Sequence, residues 1–408
     1  MTLVDQFSRK INYLRVSVTD RCDLRCVYCM KEKMTFLPKS EILTLEEIER
    51  LCDNFIELGV SKIRITGGEP LVRRDIIELI KKLNFKKNKT NLKEITLTSN
   101  GTLLAKYAKE LKKFGVNRIN ISLDTIDPDK YKEITRFGNL DNVIKGIKEA
   151  INNKIKVKIN VVALKNFNEN ELEKLIIWAN ELKIDITFIE VMPMEETGVD
   201  RYHQFIPLDQ TFNKLNSIFE FKKIDKNTGG PALYYQSKKL SINVGFITPL
   251  TNNFCATCNR VRISSTGKLF MCLGQNEYID FRDILRKDYS NDYIKEKINY
   301  ALKIKPKRHD FLICPSASVS PFPVDQPFVK EIDGQKCETY IDWFSITFAI
   351  TMTSCPSLSI PCGTTKAGLP VGIQITAAPR QEAALLNFGL KLQEIFGIDR
   401  KLPVSPAR

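Results

Sequence analysis

Six of the eleven cysteines in this chain fall into two tight groups. The first, Cys22, Cys26 and Cys29, stands in Thr19-Asp-Arg-Cys-Asp-Leu-Arg-Cys-Val-Tyr-Cys-Met30. Three thiolates so close on one loop can hold three irons of a 4Fe–4S cluster and leave the fourth iron open to another ligand. A structural zinc is the alternative, but it would want a fourth protein ligand to close its tetrahedron. No His or further Cys lies near enough in sequence to supply one. The second group, Cys255, Cys258 and Cys272, is a C-x2-C pair followed by a third cysteine. Ser264–Lys268 reads as a turn between two strands, which folds Cys272 back beside the pair. Zinc is a fair alternative here too, again with only three ligands in view. Arg260 and Arg262, two residues apart, share one face of a strand. Guanidinium forks suit phosphate oxygens, and a pair of them suits a triphosphate. Cys52, Cys314, Cys337, Cys355 and Cys362 lack ligand spacing and read as fold residues.

These groups need elements to hold them. Residues 11–190 repeat a short apolar, β-branched run, a turn and a helical pattern. The spacing predicts strands at 13–18, 62–66, 94–98, 118–123, 156–163 and 185–190, with helices such as 45–58 between them. That helix has Thr44 and Glu47 in capping-box spacing and a stop at Gly59. Alternating βα units imply an α/β fold with a parallel sheet, and six of them suggest an open or partial barrel with its chemistry at the C-terminal strand ends. The first cysteine group, Gly67-Gly-Glu-Pro70, Thr98-Ser-Asn-Gly101, and Ser122 with Asp124 all stand at such ends. Residues 198–243 carry a weaker pattern and read as a linker or rim loop. The chain is expected to divide into 1–230, a partial barrel; 231–308, a smaller unit around the second cysteine group; and 309–408, where Lys thins out and Pro, Ser and Thr increase.

Charge follows the same division. The whole chain carries +14, yet residues 309–408 hold 8 basic and 9 acidic side chains, so the excess belongs to residues 1–308. An anionic partner or a Lys-rich solvated surface would account for it. No apolar run is long enough to span a bilayer, no signal-peptide core opens the chain and no nucleic-acid-binding module is recognised. A cytoplasmic protein binding neither membrane nor nucleic acid is expected. Arg15, Arg64 and Lys158 lie on barrel strands, where an unpaired charge is costly unless it lines a site.

Taken together, C-x3-C-x2-C and C-x2-C-x13-C resemble the GTP 3′,8-cyclase family of radical S-adenosylmethionine (SAM) enzymes over about Asn12 to His309. The resemblance implies a partial (βα)6 radical SAM barrel with two 4Fe–4S clusters and SAM. Cys22, Cys26 and Cys29 would carry the catalytic cluster, and Tyr28, Gly68, Ser122 and Met192 would contact SAM. Arg15, Arg64, Thr98, Lys158, Arg260 and Arg262 would bind GTP, while Cys255, Cys258 and Cys272 would hold the cluster facing the guanine. A 5′-deoxyadenosyl radical would take the ribose 3′ hydrogen, and the carbon radical would add to C8, giving 3′,8-cyclo-7,8-dihydro-GTP. This is the first step of molybdenum cofactor biosynthesis. The implied partners are a flavodoxin- or ferredoxin-like donor (or a chemical reductant), a cyclic pyranopterin monophosphate synthase downstream, and a second copy in a homodimer.

Two departures stand out. Thr187 occupies the place of a family arginine, and the chain ends Pro-Val-Ser-Pro-Ala-Arg408 where the family ends in Gly-Gly. Residues 309–408 instead resemble the C-terminal end of the amidase-signature family, through His309–Ser316, Ser354–Pro361 and Gly368–Ile375. They lack the upstream Ser-Ser-Lys region, so Ser316, Ser318, Ser354 and Ser357 have no matched base. Such an α/β fragment would expose apolar edges. The alternatives to an active cyclase are a radical SAM enzyme acting on another substrate through an auxiliary cluster, and a catalytically impaired cyclase–amidase fusion.

Overall fold

Strands such as Lys62-Ile-Arg-Ile-Thr66 and Arg118-Ile-Asn-Ile-Ser122 alternate polar and apolar residues, so each needs one apolar and one polar surrounding. The computed structural model supplies both. It describes every residue except 1, 88, 193–202, 252–253, 273–276, 307–310, 320–321, 324, 380 and 398–408. His309 and the C-terminal hexapeptide therefore lie outside the described residues. The chain divides into two units, Met1–Lys307 and Arg308–Arg408.

In the first unit β1 (Tyr13–Ser17), β2 (Lys62–Thr66), β3 (Glu94–Ser99), β4 (Arg118–Ser122), β5 (Lys156–Ala163) and β6 (Asp185–Glu190) are the six expected strands. They are followed by β7 (Lys222–Ile224), β8 (Leu233–Gln236), β9 (Val244–Ile247), β10 (Arg260–Ile263), β11 (Lys268–Phe270) and β12 (Tyr278–Asp280). All join one 12-stranded sheet ordered β12-β11-β10-β1-β2-β3-β4-β5-β6-β9-β8-β7. From β10 through β9 every pairing is parallel, and antiparallel strands close both flanks. Segment 231–308 thus adds β8–β12 to the barrel sheet itself.

Helices 45–57, 76–87, 104–113, 140–152 and 172–181 follow β1 to β5 in turn. Their buried Leu and Ile residues form one core with Leu14, Val16, Ile63, Ile65, Ile95, Leu97, Ile119 and Ile121 from the apolar strand faces. The first helix begins in a capping box, with the Glu47 N–H donating to Thr44 Oγ1 at 3.1 Å and the Thr44 N–H to Glu47 Oε2 at 2.7 Å. Such a cap contributes about 1 kcal/mol. By period two, Arg15, Arg64, Thr96, Thr98, Asn120, Lys158, Asn160, Thr187, Arg260 and Arg262 take the opposite strand face and line the lumen.

Within the stretch 198–243, expected as linker or rim loop, the structure has the helix Leu208–Phe219 and the β7–β8 pair. Leu208, Leu215 and Phe219 are buried, and Phe212 stacks among Phe221, Tyr235 and Phe246. Intervening Asn, Asp and Lys residues dilute that pattern in the sequence, and tertiary aromatic contacts secure it.

The second unit holds β13 (Phe311–Pro315), the short pair β14 (Glu331–Ile332) and β15 (Gln335–Lys336), β16 (Ser357–Thr364) and β17 (Pro370–Ala377). β13, β17 and β16 form an antiparallel sheet, one strand from each amidase-like segment. Helix 382–396 packs on it through Leu385, Phe388 and Leu392 over Ile360 and Ile375. Leu312, Ile313, Leu386, Leu390 and Ile395 remain exposed, as a sheet without further partners requires.

Candidate active site

The first cysteine loop leaves the C-terminal end of β1 and is tied down on both sides. The Gly68 N–H donates to Thr19 O at 2.8 Å and the Glu69 N–H to Arg21 O at 2.8 Å. A Cβ on Gly68 would stand 2.2 Å from Arg21 O, so only glycine allows this approach. Arg25 Nη1 donates to Cys22 O at 2.6 Å, and Arg136 Nη1 to Arg25 O and Met30 O. Glu69 is fully buried and accepts from the Leu71 N–H, Ser99 Oγ and the Asn100 N–H, which locks Gly67-Gly-Glu-Pro70 to Thr98-Ser-Asn-Gly101. Burial raises its carboxyl to about 7 against these lowering bonds.

Burial pushes the Cys22 thiol up to about 12 and Cys26 further, with Asp124 adding to the latter. Such thiols give up their protons only to a strongly bound cation, as ligation by iron would provide. Among the described residues no three His, Cys, Asp or Glu side chains converge on a single-ion site. Cys22, Cys26 and Cys29 are three thiols on one loop, a donor set of the kind that binds iron–sulfur clusters. Tyr28 donates its hydroxyl to Asp124 Oδ2 at 2.5 Å, and the Val162 N–H donates to Asp124 Oδ1 at 2.7 Å. Ser122 ends β4 and Met192 lies two residues past β6, both half-buried at this same end of the barrel.

Below that end the lumen is cationic. Arg15 lies opposite Arg64 on one side and Arg262 on the other, and Tyr13 opposite Arg260. Arg64 Nη1 donates to Thr98 Oγ1 at 3.0 Å and its Nε to the Tyr13 hydroxyl. Lys158 Nζ donates to Tyr234 Oη at 3.1 Å. Among the described residues none of Arg15, Arg64, Lys158, Arg260 and Arg262 is in an ion pair with a carboxylate. Arg15 is pulled down to about 9 by burial and by Arg262, and Lys158 to about 7 by burial and by Arg64 and Arg118. Arg15 Nε, Arg260 Nε, Thr96 Oγ1, Asn120 Oδ1, Asn160 Oδ1 and Thr187 Oγ1 are buried without a hydrogen-bond partner among the described residues. Native interiors seldom leave so many polar atoms unmet, and a polar polyanion would satisfy the cations among them. Thr187 is fully buried and faces Gly245, whose added Cβ would meet Thr187 Oγ1 at 2.8 Å.

The second cysteine group reaches the lumen from the other end. Because β10 runs parallel to β1, Cys255 and Cys258 precede the N-terminal end of that strand pair, and Cys272 returns beside them after β11. The two cysteine groups therefore stand at opposite ends of the parallel strands, the first at their C-terminal ends and the second at the N-terminal end of the β1–β10 pair. A strand rise of about 3.3 Å per residue makes the span between them on the order of 15–20 Å. Burial raises the Cys258 thiol, but Lys305, Arg260 and Arg262 bring it below its ordinary value. The sequence reading passed over Tyr13, Asn120, Asn160, Tyr234 and Lys305. For the first three, the polar–apolar alternation within the strands was the available signal; Lys305 carried none.

A family model described as the radical SAM superfamily matches residues 16–179, one described as molybdenum cofactor synthesis C matches 184–311, and one described as amidase matches 271–386. Residues 278–303 of the last stretch form β12 and two helices of the first unit. The GTP 3′,8-cyclase of Brucella ovis is 52% identical over 311 residues, covering 76% of this chain and 90% of that protein. The Brucella abortus protein of the same name matches to the same extent. Among solved structures, Streptococcus suis SuiB superimposes with a TM-score of 0.52 at 18% identity over 72% of this chain and 69% of that one, a likeness of fold alone.

Proposed function

The chain belongs to the GTP 3′,8-cyclase family of radical SAM enzymes, and on that premise we propose how its own residues divide the work. The reaction converts GTP to 3′,8-cyclo-7,8-dihydro-GTP in molybdenum cofactor biosynthesis. SAM and an iron–sulfur cluster, when bound, would supply the radical chemistry that removes a hydrogen from the substrate. Cys22, Cys26 and Cys29 hold that cluster, and Gly68 lets the backbone approach SAM closely. Tyr28, fixed by Asp124, borders the SAM site together with Ser122 and Met192. Arg15, Arg64, Thr98, Lys158, Arg260 and Arg262 bind the triphosphate and keep the ribose in reach of the radical. Cys255, Cys258 and Cys272 would hold a second 4Fe–4S cluster, which would supply an iron for binding the substrate base. A flavodoxin- or ferredoxin-like donor supplies the electron, and a cyclic pyranopterin monophosphate synthase consumes the product.

One observation carries this division: five lumen cations with no carboxylate partner among the described residues lie between two cysteine triads at opposite ends of the barrel. Orientation of the substrate in the lumen is the protein's main contribution, since effective molarity there replaces chance encounter. The test is anaerobic reconstitution with iron and sulfide, followed by SAM, GTP and a strong reductant, with mass spectrometry of the products. 5′-Deoxyadenosine together with cyclised GTP is expected. SAM cleavage without cyclised GTP would overturn the assignment of the lumen to GTP.

A further inference from the structure

Just past the helix Asn291–Lys303 the usual order of burial is inverted: Ile304 is 42% exposed, while Lys305 is 1% exposed. Lysine is almost never fully buried without a partner. Here Nζ donates to Arg260 O at 3.0 Å and to Met271 O, and lies 3.8 Å from Cys258 Sγ. Those contacts occupy its three donors. Among the described residues no carboxylate lies within ion-pair distance of it. The cation is therefore enclosed with a cysteine sulfur, and negative charge on that sulfur or on what it ligates offsets the cost of burying it.

The contacts also bridge the separate segments of the second triad. Arg260 lies two residues after Cys258, and Met271 immediately precedes Cys272. Cys255 is held by Arg9, whose Nη1 donates to Cys255 O at 2.7 Å and Nη2 to Pro306 O at 2.7 Å. Arg9 is in turn fixed by Asp5 at 2.6 Å, and Gln6 Nε2 donates to Lys305 O at 3.3 Å. Two buried cations, one from the N-terminal hook and one from the end of the last helix of this unit, thus grip all three cysteine segments.

We propose that Lys305, braced by Arg9, is the positioning residue and counter-cation of the second cysteine triad, fixing the spacing of its ligands and stabilising the reduced form of the cluster they hold. This rests on the reading that Cys255, Cys258 and Cys272 bind an iron–sulfur cluster. Net charge and hydrogen bonds to the sulfurs set the potential of such a cluster, and second-shell partners of metal ligands typically change metal affinity by 10–100-fold. A cation against a sulfur favours the more negative, reduced state, so its removal must move the potential downward.

The experiment uses the full chain carrying Cys26→Ala, so that the remaining iron reports on the second triad. Iron and sulfide per chain, loss of iron to a chelator, and an EPR-monitored redox titration are measured with Lys305 intact, as Lys305→Met and as Lys305→Gln. Lys305→Met is expected to lose iron to the chelator about tenfold more readily, with a more negative potential. Lys305→Gln keeps donors for the two carbonyls, so it is expected to retain more iron while still titrating at the lower potential. If Lys305→Met does not fold, the potential of Lys305→Gln decides alone. Unchanged retention and potential in the variants, with a cluster present in the parent, would overturn the role of Lys305. A Cys26→Ala parent that takes up no cluster would instead overturn the second-cluster reading, and the inference with it.

Discussion

Replacing Gly68 by alanine places a methyl group 2.2 Å from Arg21 O and 2.6 Å from Arg21 C. Ordinary contact needs roughly 1 Å more, and both atoms are backbone, so no rotamer change relieves the clash. Either the loop or the segment after β2 must move by that amount. The Gly68–Thr19 and Glu69–Arg21 backbone bonds oppose this, because they join the same two segments. Overpacking of this kind costs about 1–3 kcal/mol, which the core of the first unit can absorb without unfolding. The larger effect falls on chemistry: Arg21 adjoins Cys22, and about 1 Å of misplacement at a reacting centre costs on the order of 100-fold in rate. The assay is formation of 5′-deoxyadenosine from SAM by the reconstituted, reduced protein, with iron content and circular dichroism as controls. Gly67→Ala is the internal comparison, since its nearest backbone contact is a milder 2.9 Å to Thr19 O. The reasoning fails if Gly68→Ala cleaves SAM within twofold of the parent rate at equal iron content, or if Gly67→Ala is the more damaged of the two.

Other expectations follow from the same geometry. Burial raises Asp124 from 3.8 to about 6 against lowering bonds from Tyr28 and Val162, so its contribution to stability is full below the unfolded value and lost as pH rises through about 6. At about 1.36 kcal/mol per pH unit, Asp124→Asn should gain about 2 kcal/mol on the parent apoprotein between pH 4 and 7 in denaturant titrations; a constant difference would refute this. Arg260→Ala should weaken GTP binding by about 10–100-fold, the worth of a charge-assisted hydrogen bond, and leave SAM affinity unchanged in calorimetry. Because the described core of the first unit is built from residues up to 302, a chain ending at Pro306 should keep its circular dichroism per residue and its SAM cleavage; loss of either would refute this.

Much of the barrel could be read in advance because its signals are local. Six β-branched runs followed by helical periodicity gave β1–β6 nearly residue for residue, and Thr44 with Glu47 gave a helix start. The cysteine spacings were legible for the same reason, as cysteines of one loop are close in sequence. The order of the sheet was not. That β9 and β10 extend the parallel array on both flanks depends on pairings across most of the unit, such as Tyr13 with Arg260, which no local pattern encodes. The helix Leu208–Phe219 was hidden because its stability comes from aromatic contacts with β8 and β9. Lys305 was invisible for a simpler reason: among 62 basic residues nothing in its neighbourhood marks it as buried.

The lining of the lumen bears on how long the protein survives. Arg15, Arg64, Lys158, Arg260 and Arg262 repel one another in the empty barrel, so part of the folding free energy is spent holding like charges together. A nucleotide that neutralises them stabilises the native form by mass action, about 2.7 kcal/mol at a hundredfold excess over its dissociation constant. Proteolysis that acts through transient opening slows in the same proportion. A nucleotide seated among these cations would then lengthen the lifetime of the native protein against proteases, apart from any effect on turnover.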